Sequence, residues 1–157
     1  MNNLFVCLHG NIEDGILSKR GMAEMDALAK AIAANKSGGS YCLLSSPAFK
    51  VRESAQIIMK RLGMQGFEVD LYLWSEATRP LNPSTYFSER DIAKLVDVVE
   101  VRKERADNFI VVTHHPAAED LAQAYIKRIG SLDKLKELKF GQGVWIDLAN
   151  RAYRVLP

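Results

Sequence analysis

Two short apolar runs that both stop at histidine constrain this chain more than any other feature. Leu4-Phe5-Val6-Cys7-Leu8 ends in His9-Gly10, and Phe109-Ile110-Val111-Val112-Thr113 ends in His114-His115-Pro116. Continuous apolar runs of this length, bounded by turn formers, predict strands buried on both faces, as at the centre of an α/β sheet. The chain has three histidines, and all of them stand at these two strand ends. Open α/β sheets place ligands outside the carboxyl ends of their strands, so the histidines mark a candidate pocket.

The rest of the chain reads as a scaffold for that pocket. Asn11 to Leu17 is a polar loop, and Ser18 is placed to cap a helix running to about Asn35. Along it Met25, Leu28, Ala29 and Ile32 keep one apolar face. Tyr41-Cys42-Leu43-Leu44 predicts a second buried strand. Ser46 then fits a cap and Pro47 the first position of a second helix, with Val51, Ala55, Ile58 and Leu62 inward and Gly63 as its stop. Alternation over Phe67, Val69, Leu71 and Leu73 predicts a third strand. Trp74 to Pro83 is an irregular loop. A helix through Ile92, Leu95, Val96 and Val99 follows, then one opened by Pro116 with Leu121, Ala124 and Tyr125 inward. Ser131–Phe140 is charged and reads as a surface connection, and Val144 to Val155 as a closing β-hairpin. The expected architecture is an α/β three-layer sandwich: a mostly parallel sheet flanked by helices, ending in a C-terminal hairpin.

A length of 157 residues sets one domain, 1–157, with room for a real core. Charged residues make up 25% and the net charge is +2, spread along the chain, so no nucleic-acid partner is expected. With no long apolar span and no leader pattern, neither a membrane partner nor export is expected, and the expected location is cytoplasmic. Cys7 and Cys42 lie within apolar strands and read as buried free thiols.

Strand ends on one edge of a parallel sheet converge, so His9, His114 and the helix-borne Lys50 are expected to share one crevice. Two imidazoles, a lysine and helix N-termini make an anion site, with phosphate the natural guest. Other chemistries fit worse. No Gly-x-x-x-x-Gly-Lys loop and no Gly-x-Ser-x-Gly elbow is present. His114 and His115, as neighbours in a strand, point to opposite faces, and no acidic residue is read beside them. Neither a metal nor another cofactor is therefore expected.

Four segments in order are similar to the histidine phosphatase superfamily, which includes cofactor-dependent phosphoglycerate mutases and phosphohistidine phosphatases. They are Leu8-His9-Gly10, Leu17-Ser18-Lys19-Arg20-Gly21, Ser46-Pro47-Ala48-Phe49-Lys50-Val51-Arg52-Glu53-Ser54-Ala55, and Val112-Thr113-His114-His115-Pro116. The family pattern has arginine where this chain has Leu8 and Lys50. The short stretch from Leu73 to Phe109 resembles the small phosphohistidine-phosphatase branch. The resemblance implies that His9 attacks phosphorus, that His114 binds the phosphoryl group, and that Glu76 protonates the leaving group, with Asp70 and Glu89 as weaker matches. Lys50, Gly10, Asn11, His115 and Arg79 are the phosphate-binding candidates, and Arg20 or Arg52 are alternative substitutes for the missing arginine.

Two functions follow from the resemblance. One is a weak or specialised phosphomonoesterase acting through a phosphohistidine on His9, on a phosphorylated small molecule or a phosphoprotein. The other is a catalytically inactive relative that binds a phosphorylated or anionic partner or acts as an interaction scaffold. Leu8 weighs for the second, because a leucine cannot bind phosphate, while lysine at 50 keeps the charge without the planar fork of arginine.

Overall fold

The computed structural model of the protein describes residues 1–36, 38–73 and 89–157. The run that opens the chain becomes β1 (Asn3–Leu8), buried along its whole length, and its counterpart becomes β6 (Asn108–Thr113), equally buried. They pair in parallel, with Leu8 opposite Thr113, so His9 and His114 are the next residues at the same edge. On the other side β6 pairs in parallel with β4 (Tyr41–Ser45). The two-residue β5 (Glu68–Val69) completes that side. β7 (Gly143–Asp147) runs antiparallel to β1 and forms the expected hairpin with β8 (Ala152–Leu156). The six-stranded order is β5-β4-β6-β1-β7-β8.

Alternate residues of the central strands feed two separate apolar layers, which is why Leu4–Leu8 and Phe109–Val112 show no polar positions. Leu4, Val6, Leu8, Phe109 and Val111 pack with α3 (Glu89–Glu100) and α4 (Ala117–Arg128). Phe5, Cys7, Leu43, Ile110 and Val112 pack with α1 (Lys19–Asn35) and α2 (Phe49–Arg61). Helix–sheet–helix is the three-layer sandwich that the alternation of strands and helices predicts. No helix among the described residues is long and apolar enough to cross a membrane.

Ser18 caps α1 as expected, accepting from the Gly21 amide at 3.0 Å. The loop before it is more ordered than its polarity suggests. Ile12–Glu13 (β2) and Ile16–Leu17 (β3) pair as a small hairpin, turning at Asp14 and Gly15 with φ of 51° and 82°. Both turn residues sit in the left-handed region, which suits an Asp-Gly pair.

Three expectations are corrected. The strand over Phe67–Leu73 shrinks to β5, because Asp70 interrupts it. The Asp70 carboxylate accepts from the Tyr72 amide at 2.9 Å and turns Leu71–Leu73 into a single 3₁₀ turn. Ser46 and Pro47 do not open α2, which starts at Phe49 behind Ala48 with no side-chain cap; the Ser46 hydroxyl is engaged elsewhere. Finally, Ser131–Phe140 is more than a surface connection. Leu138 is buried, and the segment is tied to α4 by bonds from the Leu135 amide to Gln123 and from the Leu138 amide to Glu119.

Candidate active site

The β1–α1 junction sets the position of His9. Its amide donates to the Thr113 carbonyl at 3.2 Å, and its own carbonyl accepts from the Gly141 amide at 3.0 Å. The chain then passes so close to α1 that a Cβ on Gly10 would overlap the Gly21 carbonyl, and one on Gly21 would overlap the Asn11 backbone. These contacts explain why His-Gly and the glycine of Leu17-Ser18-x-x-Gly21 occur together: only two bare backbones approach this far.

His9 Nδ1 lies 2.8 Å from the Gly10 carbonyl oxygen. A carbonyl only accepts, so the ring proton resides on Nδ1 and Nε2 carries a free lone pair. Burial pushes the His9 pKa down to about 4, with the charges of Lys50 and His115 adding to the effect against the pull of the Gly10 bond. His9 is 3% exposed and neutral at ordinary pH, with a nucleophilic nitrogen.

His114 stands beside it, the ring centroids 5.6 Å apart and the planes at 76°. Its Nε2 is 2.7 Å from Ser46 Oγ, the contact that diverts Ser46 from capping α2. Burial first, then the charges of His9, Lys50 and His115, lowers His114 to about 3. β4, β6 and β1 are consecutive in the sheet, so Ser46, His114 and His9 follow one another along its carboxyl edge.

Lys50 is half-buried in the first turn of α2, and its charge bears on both rings. A short relay ties this helix to β1: Ser54 donates to the Lys50 carbonyl at 2.9 Å and accepts from the Gly10 amide at 3.2 Å. His9 and His114 therefore stand side by side, with Lys50 near enough for its charge to bear on both.

Other candidates lie differently. The Gly10 amide is held by Ser54, and the Asn11 amide by Glu24 at 2.9 Å. Asn11 also accepts from Ser18 through its carbonyl and its side chain, so it braces the junction. Arg20 is exposed and pairs with Glu24, and Arg52 is exposed on the far side of α2. Asp70 is bound to Arg102 at 2.8 Å and caps its own turn, which accounts for it structurally. Glu76 and Arg79 lie outside the described residues, as does the side chain of Glu89.

Leu8 is fully buried and belongs to the same apolar cluster as Leu44, Leu73 and Val111. A packed leucine occupies the position where the similar family has a phosphate-binding arginine.

His115 corrects the expectation that no acid stands near the second histidine pair. Its Nδ1 is 2.6 Å from Glu119 Oε1, one turn along α4. Spacing alone carries this signal, since residues i and i+4 at the start of a helix share a face. Phe140 is the other residue that sequence reading passed over. Its ring lies 5.2 Å from His9 at a 31° tilt and 6.0 Å from His115. An isolated aromatic in a charged segment gives no periodicity from which to infer this. Among the described residues, no group of three His, Cys, Asp or Glu side chains is placed to hold a metal ion.

Three solved structures with this fold are similar over nearly the whole chain. The protein histidine phosphatase SixA, complexed with tungstate, matches with a TM-score of 0.68 at 14% identity, covering 98% of this chain and 93% of its own. A mycobacterial glucosyl-3-phosphoglycerate phosphatase matches at 0.68 and 16% identity, covering 98% and 96%. The α-ribazole phosphatase of Shigella flexneri matches at 0.63 and 14% identity, covering 98% and 95%. No protein-family model and no curated protein matches the chain by sequence. At these identities the likeness establishes the fold alone, which this chain shares with these three phosphatases.

Proposed function

We propose that the protein is a phosphomonoesterase of low turnover that works through a phosphohistidine on His9. The observation that carries this reading is the state of His9: neutral, with its proton held on Nδ1 by the Gly10 carbonyl and its Nε2 free beside a second buried imidazole. A nucleophile needs its lone pair, and burial supplies it without a separate base.

In the first step Nε2 forms a bond to phosphorus while the bond to the leaving oxygen breaks. In the second, water attacks phosphorus and the electrons of the N–P bond return to Nε2. Lys50 faces the phosphoryl dianion, and the neutral His114, steadied by Ser46, offers it a hydrogen bond. Phosphoryl transfer depends mainly on such positioning and neutralisation of charge. Without an arginine at position 8, one charge-assisted donor is lost, which at a catalytic site costs on the order of 10²–10³ in rate. That loss supports low turnover. The structural neighbours named for phosphatase activity toward protein phosphohistidine and toward phosphate esters support a phosphorylated protein or small molecule as substrate.

A second reading draws on Leu8 alone. A site with a sealed core residue in place of its arginine suits a protein that binds a phosphorylated partner without turning it over. Brief incubation with a labelled phosphodonor separates the two. The enzyme reading expects an acid-labile, base-stable phosphate that is absent from His9→Ala. A protein that retains labelled phosphate esters unchanged, and never labels His9, is a binding module instead.

A further inference from the structure

Phosphomonoester cleavage needs a proton for the leaving oxygen, and one residue beside the nucleophile is built to supply it. The His115 side chain is 34% exposed, whereas His9 and His114 are 3% and 4% exposed. Its Nδ1 faces Glu119 Oε1 at 2.6 Å, and a carboxylate in that place holds the proton on Nδ1 and leaves Nε2 turned outward. Glu119 is itself fixed, because the same oxygen accepts from the Leu138 amide at 3.1 Å. This is a proton-transfer imidazole oriented by a half-buried carboxylate, the arrangement that serves acid–base chemistry on unrelated folds.

Its surroundings place it where a leaving group would go. His115 touches the edge of Phe140, and the other side of that aromatic neighbourhood is His9. The charge of His115 bears on both His9 and His114. Beside them His115 lines a cleft of about 570 Å³ with Arg20, Glu24, Glu137, Lys139 and Phe140. Arg20 and Glu24 neutralise each other at 2.8 Å. The charged groups around the imidazole are thus those four side chains on the cleft side, Glu119 beneath it, and Lys50 with the two buried histidines on the pocket side.

We propose that His115, oriented by Glu119, is the general acid and base of the reaction, a deepening that rests on the phosphatase reading above. As the P–O bond breaks, its electron pair goes to the leaving oxygen, which takes the proton from His115 Nε2. When water attacks the phosphohistidine, the neutral Nε2 takes the proton of the water, and the imidazolium is restored as phosphate leaves. The alcohol portion of the substrate occupies the cleft against Phe140.

The diagnostic is the dependence on leaving group. Single-turnover release is measured for a dinitrophenyl, a nitrophenyl and an alkyl phosphate, in wild type, His115→Gln and Glu119→Gln. A good leaving group needs no proton, so His115→Gln should slow the dinitrophenyl ester by a few-fold and the alkyl ester by about 10²-fold or more. Glu119→Gln keeps both hydrogen bonds and removes only the charge, and should show the same trend more weakly. Thermal melts confirm that both variants fold. Parallel losses for all three esters, or none, overturn the role of His115, as does a leaving-group trend in Glu76→Gln that is missing from His115→Gln. A wild type that forms no phosphohistidine and releases no leaving group from any ester overturns the phosphatase reading itself, and this inference with it.

Discussion

Single residues shape this site, and two of them depart from what the sequence pattern suggests for their positions. Ser46 looks like a helix cap and instead holds His114 Nε2 at 2.7 Å. Leaving one partner of a buried hydrogen bond unsatisfied costs about 1–3 kcal/mol, whereas a typical bond contributes roughly 1 net. Ser46→Ala should therefore lower the melting temperature modestly and weaken inorganic phosphate binding by about tenfold, read by calorimetric titration. Unchanged affinity would show that His114 needs no such support. Leu8 is the opposite case, a core residue at a position where the similar family binds phosphate. An arginine there would bring an uncompensated charge among Leu44, Leu73 and Val111, a cost of about 3–5 kcal/mol. Leu8→Arg should lose most of its stability to urea and gain no phosphate affinity. A stable variant with tighter binding would mean that the side chain can turn into the pocket.

Elements place those residues, and the β1–α1 junction is the tightest element contact near the site. Gly10 and Gly21 let the strand end and the helix start touch backbone to backbone, and the Asn11 bonds to Glu24 and Ser18 lock that approach. Because the atoms met by a Cβ are backbone, the neighbours cannot swing aside as a side chain would. Overpacking of this kind costs about 1–3 kcal/mol and occasionally more. Gly21→Ala should lower the unfolding free energy by that amount, read from urea melts, and also displace His9, weakening phosphate binding. A substitution that is neutral in both assays would show that the junction can open without loss. The same view explains where reading by element failed. Phe67–Leu73 alternates like a strand, yet Val69 and Leu71 are exposed and Asp70 turns the chain after two paired residues. Periodicity records which residues are apolar, and a single side chain that captures a backbone amide overrides it.

At the scale of the whole molecule, burying two histidines side by side ties stability to pH. The unfolded chain binds protons on these rings near their ordinary value of 6.5, whereas the folded chain resists until about 4 for His9 and about 3 for His114. Between those limits the unfolded state holds more protons, so stability increases with pH. The contribution is complete above pH 6.5 and declines as pH falls through the window toward 4 and 3. Urea midpoints at pH 7 and pH 5 should differ by more in wild type than in the His9→Gln/His114→Gln double variant, in which neither buried imidazole is left to titrate. Equal differences would mean that the imidazoles are not shielded as the fold implies. A bound dianion favours the charged rings, so saturating phosphate should shrink the wild-type difference.

The sequence by itself determined the parts that depend on neighbours along the chain. Both central strands, the Ser18 cap, the apolar faces of α1 and α2 and the closing hairpin were legible, because propensity, pattern and turn chemistry agree there. So was the meeting of His9 and His114, since strands paired in parallel end at a common edge. Tertiary structure alone decided the partnership of Ser46 with His114 across 68 positions. It also brought Phe140 back over His9 from a segment with no pattern of its own. The physical reason is the same in each case. A hydrogen bond or a ring contact depends on distances in space of a few ångströms, and such distances between residues far apart in sequence exist only once the core has packed.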